Sequence, residues 1–239
     1  MAKKARPSGG PGGGQRDLTV RLKTARKRTA SSQRWLERQL NDPYVTASKR
    51  DGYRSRAAYK LIEIDQKAKL LKPGQVIVDL GAAPGGWSQV SAKRTKADEG
   101  HGQVVAIDYL AFDAIPGVEI FQLDFLDPKA PDLLRARLKN GRADIVLSDM
   151  AAPTTGHTAT DHLRIIGLAE AAIDFACDVL APGGAFLCKV FQGGAETQML
   201  NRLKQSFRTV RHVKPPASRS DSAELYVLAT GFRGDGART

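Results

Sequence analysis

The sequence predicts an α/β fold: a mostly parallel seven-stranded sheet with an antiparallel last strand, flanked by helices. Three observations predict it. From residue 75 onward, apolar β-branched runs alternate with segments of helical spacing, the pattern of repeated βαβ units. The first run, Val76-Ile-Val-Asp-Leu80, passes directly into Gly81-Ala-Ala-Pro-Gly-Gly86, where glycine lets bare backbone approach a ligand. Acidic residues (Asp79, Asp108, Asp124, Asp149) stand at the ends of successive runs, at the sheet edge where open α/β folds bind ligands.

Taken in order, residues 1–30 read as a disordered basic tail, low in complexity and rich in Lys, Gly and Pro, and residues 31–239 as one folded domain. Trp35, Leu36, Gln39 and Leu40 have helical spacing within Ser31–Leu40, and Asn41-Asp-Pro-Tyr44 reads as a turn. Ser55–Lys69 reads as a helix whose apolar face carries Ala57, Ala58, Leu61, Ile62 and Ile64, stopped by Lys72-Pro-Gly74. Strands are expected over 75–80, 103–107, 118–122, 143–148, 183–190, 208–213 and 223–230, and helices over 86–94, 131–139, 160–180 and 196–206. The loop before the last strand has no room for a helix, so that strand is expected to insert antiparallel. Thr95–Gly102 reads as a short surface insertion.

The formal charge is +12, and its location matters more than its size. Residues 1–60 hold 16 Lys+Arg against 4 Asp+Glu, whereas residues 61–239 hold 21 of each. A basic arm on a neutral body is the electrostatic footprint of polyanion binding, and it disfavours a small-molecule enzyme. Cys177 and Cys188 form no C-x-x-C pair and read as free buried thiols. The four histidines lack ligand spacing, so no metal site is expected. No run is long enough to cross a bilayer and the N-terminus has no apolar signal core, so a cytoplasmic protein without membrane attachment is expected, by default a monomer.

The glycine loop is neither G-x-G-x-x-G nor a P-loop. What remains for Asp79-Leu-Gly-Ala-Ala-Pro-Gly-Gly-Trp87 is the S-adenosyl-L-methionine loop of a Rossmann-like class I methyltransferase. Asp108, after the second strand, can accept hydrogen bonds from ribose hydroxyls, and Asp124, after the third, is placed to meet an adenine amino group. Either alone is equally a turn former. Asp79 reads as structural, its carboxylate holding the amides of the glycine loop. Asp149 ends the fourth strand, in Ile145-Val-Leu-Ser-Asp-Met-Ala-Ala-Pro153, where a transferable methyl group would face its acceptor. Lys189, inside the apolar Phe186-Leu-Cys-Lys-Val-Phe191, is costly to bury unless paired. Lys60 on the helix before the sheet and Glu224 at the start of the last strand complete a Lys–Asp–Lys–Glu set.

These residues, with their neighbours, carry a resemblance. Ser55-Arg-Ala-Ala-Tyr-Lys60-Leu, Asp79 to Gln89, Leu147-Ser-Asp149-Met-Ala-Ala-Pro153, Cys188-Lys189-Val-Phe-Gln-Gly193, Ser218-Arg-Ser220 and Glu224-x-Tyr226 resemble the FtsJ-type ribosomal RNA methyltransferases, the bacterial large-subunit (uridine-2′-O)-methyltransferases. The similarity spans about residues 30–232. It implies a catalytic tetrad of Lys60, Asp149, Lys189 and Glu224, and cofactor-binding roles for Gly85, Trp87, Asp108, Asp124 and Asp149. It also implies methylation of a uridine 2′-hydroxyl in 23S ribosomal RNA on the assembled large subunit. Because that hydroxyl is a poor acid, Lys189 is expected to take its proton in neutral form or to orient the oxygen's lone pair. A transfer RNA 2′-O-methyltransferase, or an assembly factor that binds ribosomal RNA with little catalysis, is the alternative.

Cationic contacts to phosphate make binding salt-dependent without selecting a base. Trimming residues 1–30 is therefore expected to raise the Michaelis constant for RNA and flatten its salt dependence. A salt slope identical to that of the full chain would show that the tail takes no part.

Overall fold

The computed structural model describes residues 29–152, 156, 158–191, 196–219 and 222–234. Residues 1–28 of the expected tail lie outside them. Seven strands form one sheet: β1 (Val76–Leu80), β2 (Gln103–Asp108), β3 (Val118–Gln122), β4 (Ala143–Ser148), β5 (Leu180–Phe191), β6 (Phe207–Val213) and β7 (Glu224–Phe232). Their order is β3-β2-β1-β4-β5-β7-β6. The pairs on the β3-to-β5 side are all parallel. As expected, β7 runs against its neighbours, inserted between β5 and β6.

All five residues of β1 are buried, as a central parallel strand covered on both faces requires. Val76, Val78 and Leu80 face a core completed by α5 (Ala130–Arg137), α6 (Thr158–Val179) and α7 (Glu196–Ser206), through residues such as Leu134, Ile173 and Leu203. Ile77 faces the opposite core, shared with α3 (Ala57–Ala68) and α4 (Gly86–Thr95) through Leu61, Ile64 and Val90. The period-2 alternation of the strand thus sorts its side chains between two layers of helices.

Three departures from the sequence reading have local causes. The Asn41–Tyr44 turn is followed at once by a helix, α2 (Pro43–Arg50), after α1 (Ala30–Leu40). The Asp42 carboxylate accepts the Tyr44 amide at 3.0 Å, with Pro43 in the first turn, so Asp-Pro starts a helix rather than ending one. Strand β5 begins three residues early, because Ala181-Pro-Gly-Gly184 forms an irregularity within the strand. Pairing passes from Ala143–Leu180 to Ile145–Ala185, with Gly183 at φ +84°. The 95–102 stretch lies largely at the surface as expected but is anchored there: Thr95 and Ala97 are buried, and the Thr95 carbonyl accepts the Gly74 amide at 2.9 Å. The helix expected to run to Lys69 stops at Ala68, where Lys69 adopts φ +52° and its amide returns to Asp65.

The sheet order reverses between β1 and β4, and the carboxyl ends of β1 to β4 open on one cleft. This is the edge at which such sheets bind ligands.

Candidate active site

The cleft has a volume of about 690 Å³ and is lined from four strand ends by Gly81, Asp108, Asp124 and Asp149, among others. Gly81 has φ +75°, and a Cβ there would lie within 2.9 Å of the Met150 backbone, so no side chain fits between the β1 and β4 loops. The glycine loop folds back on β2: the amides of Gly81 and Ala82 donate to the Ile107 carbonyl at 2.9 and 3.2 Å. The next amide, Ala83, donates to Asp108 Oδ2 at 2.9 Å, while Asp108 Oδ1 accepts the Leu110 amide. Asp108 is therefore the carboxylate that holds the glycine loop. Asp79, expected in that role, is fully buried on the α4 side and accepts the Ser88 hydroxyl at 2.6 Å, Oδ1 having no partner among the described residues. Its side chain shares the face of Ile77, away from the loop amides.

Asp124 forms the turn its residue type favours, Oδ1 accepting the Leu126 amide at 3.0 Å, and it lines the cleft. A carboxylate has more lone-pair sites than one amide uses, so Asp108 and Asp124 each keep capacity for a ligand. Gly85, at φ +106°, starts α4, and a Cβ there would meet Ile115 at 2.5 Å. The Trp87 ring is buried: its Nε1 donates to the Ala57 carbonyl at 2.8 Å and it packs on Tyr226, centroids 5.6 Å apart.

Arg54 joins the glycine loop without any signal in the residue pattern. Its guanidinium donates to the Pro84, Asp113 and Ala114 carbonyls at 3.3, 2.6 and 2.7 Å, tying the glycine loop to the loop after β2. Nothing in the residue pattern marks it, because carbonyl acceptors carry no sequence signature.

Lys60, Asp149, Lys189 and Glu224 come together. Lys60 and Lys189 are only 8% and 7% exposed, and each meets a carboxylate. Lys60 Nζ lies 2.7 and 2.8 Å from the two Glu224 oxygens. Lys189 Nζ donates to the Asp149 carbonyl at 2.6 Å and lies 3.2 Å from its Oδ1. Tyr226 joins the pairs: its hydroxyl donates to Asp149 Oδ1 at 2.8 Å, and Lys60 Nζ sits 5.7 Å from its ring centroid. Burial holds the Tyr226 phenol well above its ordinary pKa, so it stays a donor. For Asp149, burial acts upward, but the charges of Lys189 and Lys60 and the Tyr226 hydrogen bond outweigh it and hold the carboxyl below its ordinary value. Both cysteines are buried and form no disulfide, and burial pushes the Cys188 thiol up to about 12, which disfavours its thiolate.

A family described as FtsJ-like methyltransferase matches residues 53–232. The chain is 64% identical over 232 residues to the ribosomal RNA large subunit methyltransferase E of Xanthobacter autotrophicus, covering 97% of this chain and 90% of that protein. A protein of the same name from Azorhizobium caulinodans is 64% identical over 224 residues, 94% of this chain and 93% of its own. Among solved structures, a ribosomal RNA methyltransferase of Plasmodium falciparum is 34% identical with a TM-score of 0.64, covering 76% of this chain and all of that one.

Burial, opposed by the Ser88 hydrogen bond and reinforced by the negative charges of Asp149 and Asp108, raises the Asp79 carboxyl to about 7. Between the unfolded-state pKa near 4 and that value, the folded chain binds a proton that the unfolded chain has lost. Stability therefore falls as pH rises through this window. Asp79→Asn removes the effect, and its stability relative to the wild type should grow by up to about 4 kcal/mol from pH 4 to pH 8, at about 1.36 kcal/mol per pKa unit. Urea unfolding across that range measures it, and a pH-independent difference would exclude the raised carboxyl.

Proposed function

The chain belongs to the FtsJ-like methyltransferase family, and from that membership we propose that it transfers a methyl group from S-adenosyl-L-methionine to the ribose 2′-hydroxyl of a uridine in large-subunit ribosomal RNA. The same proposal takes the assembled large subunit as substrate and the enzyme as a cytoplasmic monomer. Among the described residues no helix is long and apolar enough to cross a membrane. The names of the relatives favour ribosomal over transfer RNA.

The cleft fits the donor in three respects. Gly81 and Ala83 of the glycine loop line the cleft, two carboxylates with spare acceptor capacity follow β2 and β3, and the volume is that of a small-molecule site. When bound, the donor supplies an electrophilic methyl group on a sulfonium sulfur. Asp108 would accept from its ribose hydroxyls and Asp124 from its adenine amino group. Gly85 and Trp87 would offer main-chain groups at the start of α4, since the indole is already committed to Ala57 and Tyr226. Asp149 would close the cleft at its β4 end.

The observation that carries the proposal is the lysine held against Asp149. A 2′-hydroxyl is a weak acid, and its proton needs an acceptor or an orienting group within hydrogen-bond reach. Lys189 stands beside the one member of the set that lines the cleft. We assign it to receive that proton as a neutral amine or to orient the oxygen's lone pair. Asp149 holds the Lys189 amine in place, and the Lys60–Glu224 pair closes the other side. Most of the acceleration then comes from positioning, which in well-oriented reactions supplies roughly 7–11 kcal/mol.

Lys189→Ala is expected to abolish tritium transfer from labelled donor to large ribosomal subunits while leaving donor affinity nearly intact. Wild-type turnover in this variant would sink the assignment. Mapping 2′-O-methylation in ribosomal RNA from cells lacking the protein identifies the nucleotide.

A further inference from the structure

Arg56, the N-cap of α3, and Glu63 stand four residues before and three after Lys60, so the three side chains leave on one side. All three reach the segment linking β6 and β7 or its end. Arg56 Nη2 donates to the Ala217 carbonyl at 2.6 Å, and Glu63 Oε2 accepts the Ala217 amide at 2.7 Å. Both backbone groups of one fully buried residue are thus gripped by side chains on either side of Lys60. The grip is itself braced: Tyr44 donates to the other Glu63 oxygen at 2.7 Å, and Asp42 pairs with Arg56 at 2.8 Å. The next residue, Ser218, is 6% exposed. Its hydroxyl donates at 2.9 Å to Glu224 Oε1, the oxygen that lies 2.7 Å from Lys60 Nζ.

We propose that Ser218 is a positioning residue for the methyl transfer, acting through Glu224 on Lys60, with the Arg56–Ala217–Glu63 clamp holding it there. The inference rests on the function proposed above. The terminal torsion of a glutamate is broad, so an ion pair with Lys60 alone leaves the carboxylate free to rotate and carry the ammonium with it. A second hydrogen bond, donated from a fixed direction to one named oxygen, removes that freedom. Lys60 then keeps its place over Tyr226 and opposite the Lys189–Asp149 pair. Ser218 does not line the cleft, and its hydroxyl is given to Glu224, so its effect should fall on the rate of the bound complex and not on donor affinity.

The test uses the full chain, large ribosomal subunits and labelled S-adenosyl-L-methionine, with single-turnover rate, donor affinity by calorimetry and thermal unfolding measured together. Ser218→Ala is expected to slow the saturated single-turnover rate by on the order of tenfold, since small misplacements at a distance cost rate, with donor affinity and melting temperature close to wild type. Ser218→Thr keeps the hydroxyl and should recover most of the rate. Glu63→Gln keeps an oxygen for the Ala217 amide and should stay near wild type, whereas Glu63→Ala should reproduce the slow phenotype. A wild-type rate in Ser218→Ala, or a loss that tracks donor affinity, overturns the inference while leaving the proposed function standing. Absence of transfer by the wild-type chain overturns both.

Discussion

Two lysine ammonium groups lie under a tenth exposed at one edge of the sheet, and that is the constraint the remaining architecture answers. A charge withdrawn from water costs several kcal/mol unless it is paired and hydrogen-bonded, and removing one partner of a buried pair costs about 3–5 kcal/mol. Each lysine therefore binds its own element to a distant one. Lys60 joins α3 to β7 across 164 residues of sequence, and Lys189 joins β5 to the end of β4 across 40. Tyr226 crosses between the pairs by bonding Asp149. Four elements are stitched at the edge where the cleft opens.

The reversed last strand follows from the same need. In a wholly parallel sheet the first residues of β7 would lie at the amino edge, a strand's length from Asp149. Running antiparallel, β7 begins at the carboxyl edge: Glu224 pairs with Phe191 and Tyr226 with Lys189. The insertion of β7 between β5 and β6 is thus what places a carboxylate within reach of Lys60. The β6–β7 connection then falls beside α3, where Arg56 and Glu63 take hold of it.

Much of this was legible in the residues. The seven strands follow from apolar runs; of the four elements that bear Lys60, Asp149, Lys189 and Glu224, topology places three at one sheet edge, and the full set follows from the resemblance. What was not legible lies in directions that spacing does not encode. Asp79 and Asp108 both close strands beside the glycine loop, yet Asp79 shares the face of Ile77 and turns to Ser88, while Asp108 bonds the Ala83 amide. Helix α2 was hidden because Asp42-Pro43 reads equally as a turn and as an N-cap followed by a first-turn proline; the cap signature was there to be used. Arg54 escaped because its acceptors are all main-chain carbonyls. The folding of residues 1–28 falls outside the described structure.

The charges also divide the labour of the chain. At the proposed centre two ammonium groups are matched by two carboxylates, and the cleft adds Asp108 and Asp124. Arg164 is the cation on the cleft lining, while residues 61–239 as a whole carry no net charge. Screening at physiological salt confines electrostatic attraction to roughly 8 Å, so whatever draws a polyanion to this enzyme must reach it directly. The excess of positive charge is confined to residues 1–60, the segment that runs through α1 and α2 into the helix bearing Lys60. The excess positive charge thus lies on the segment that leads into α3, the helix whose Lys60 meets Glu224 at the edge of a body without net charge.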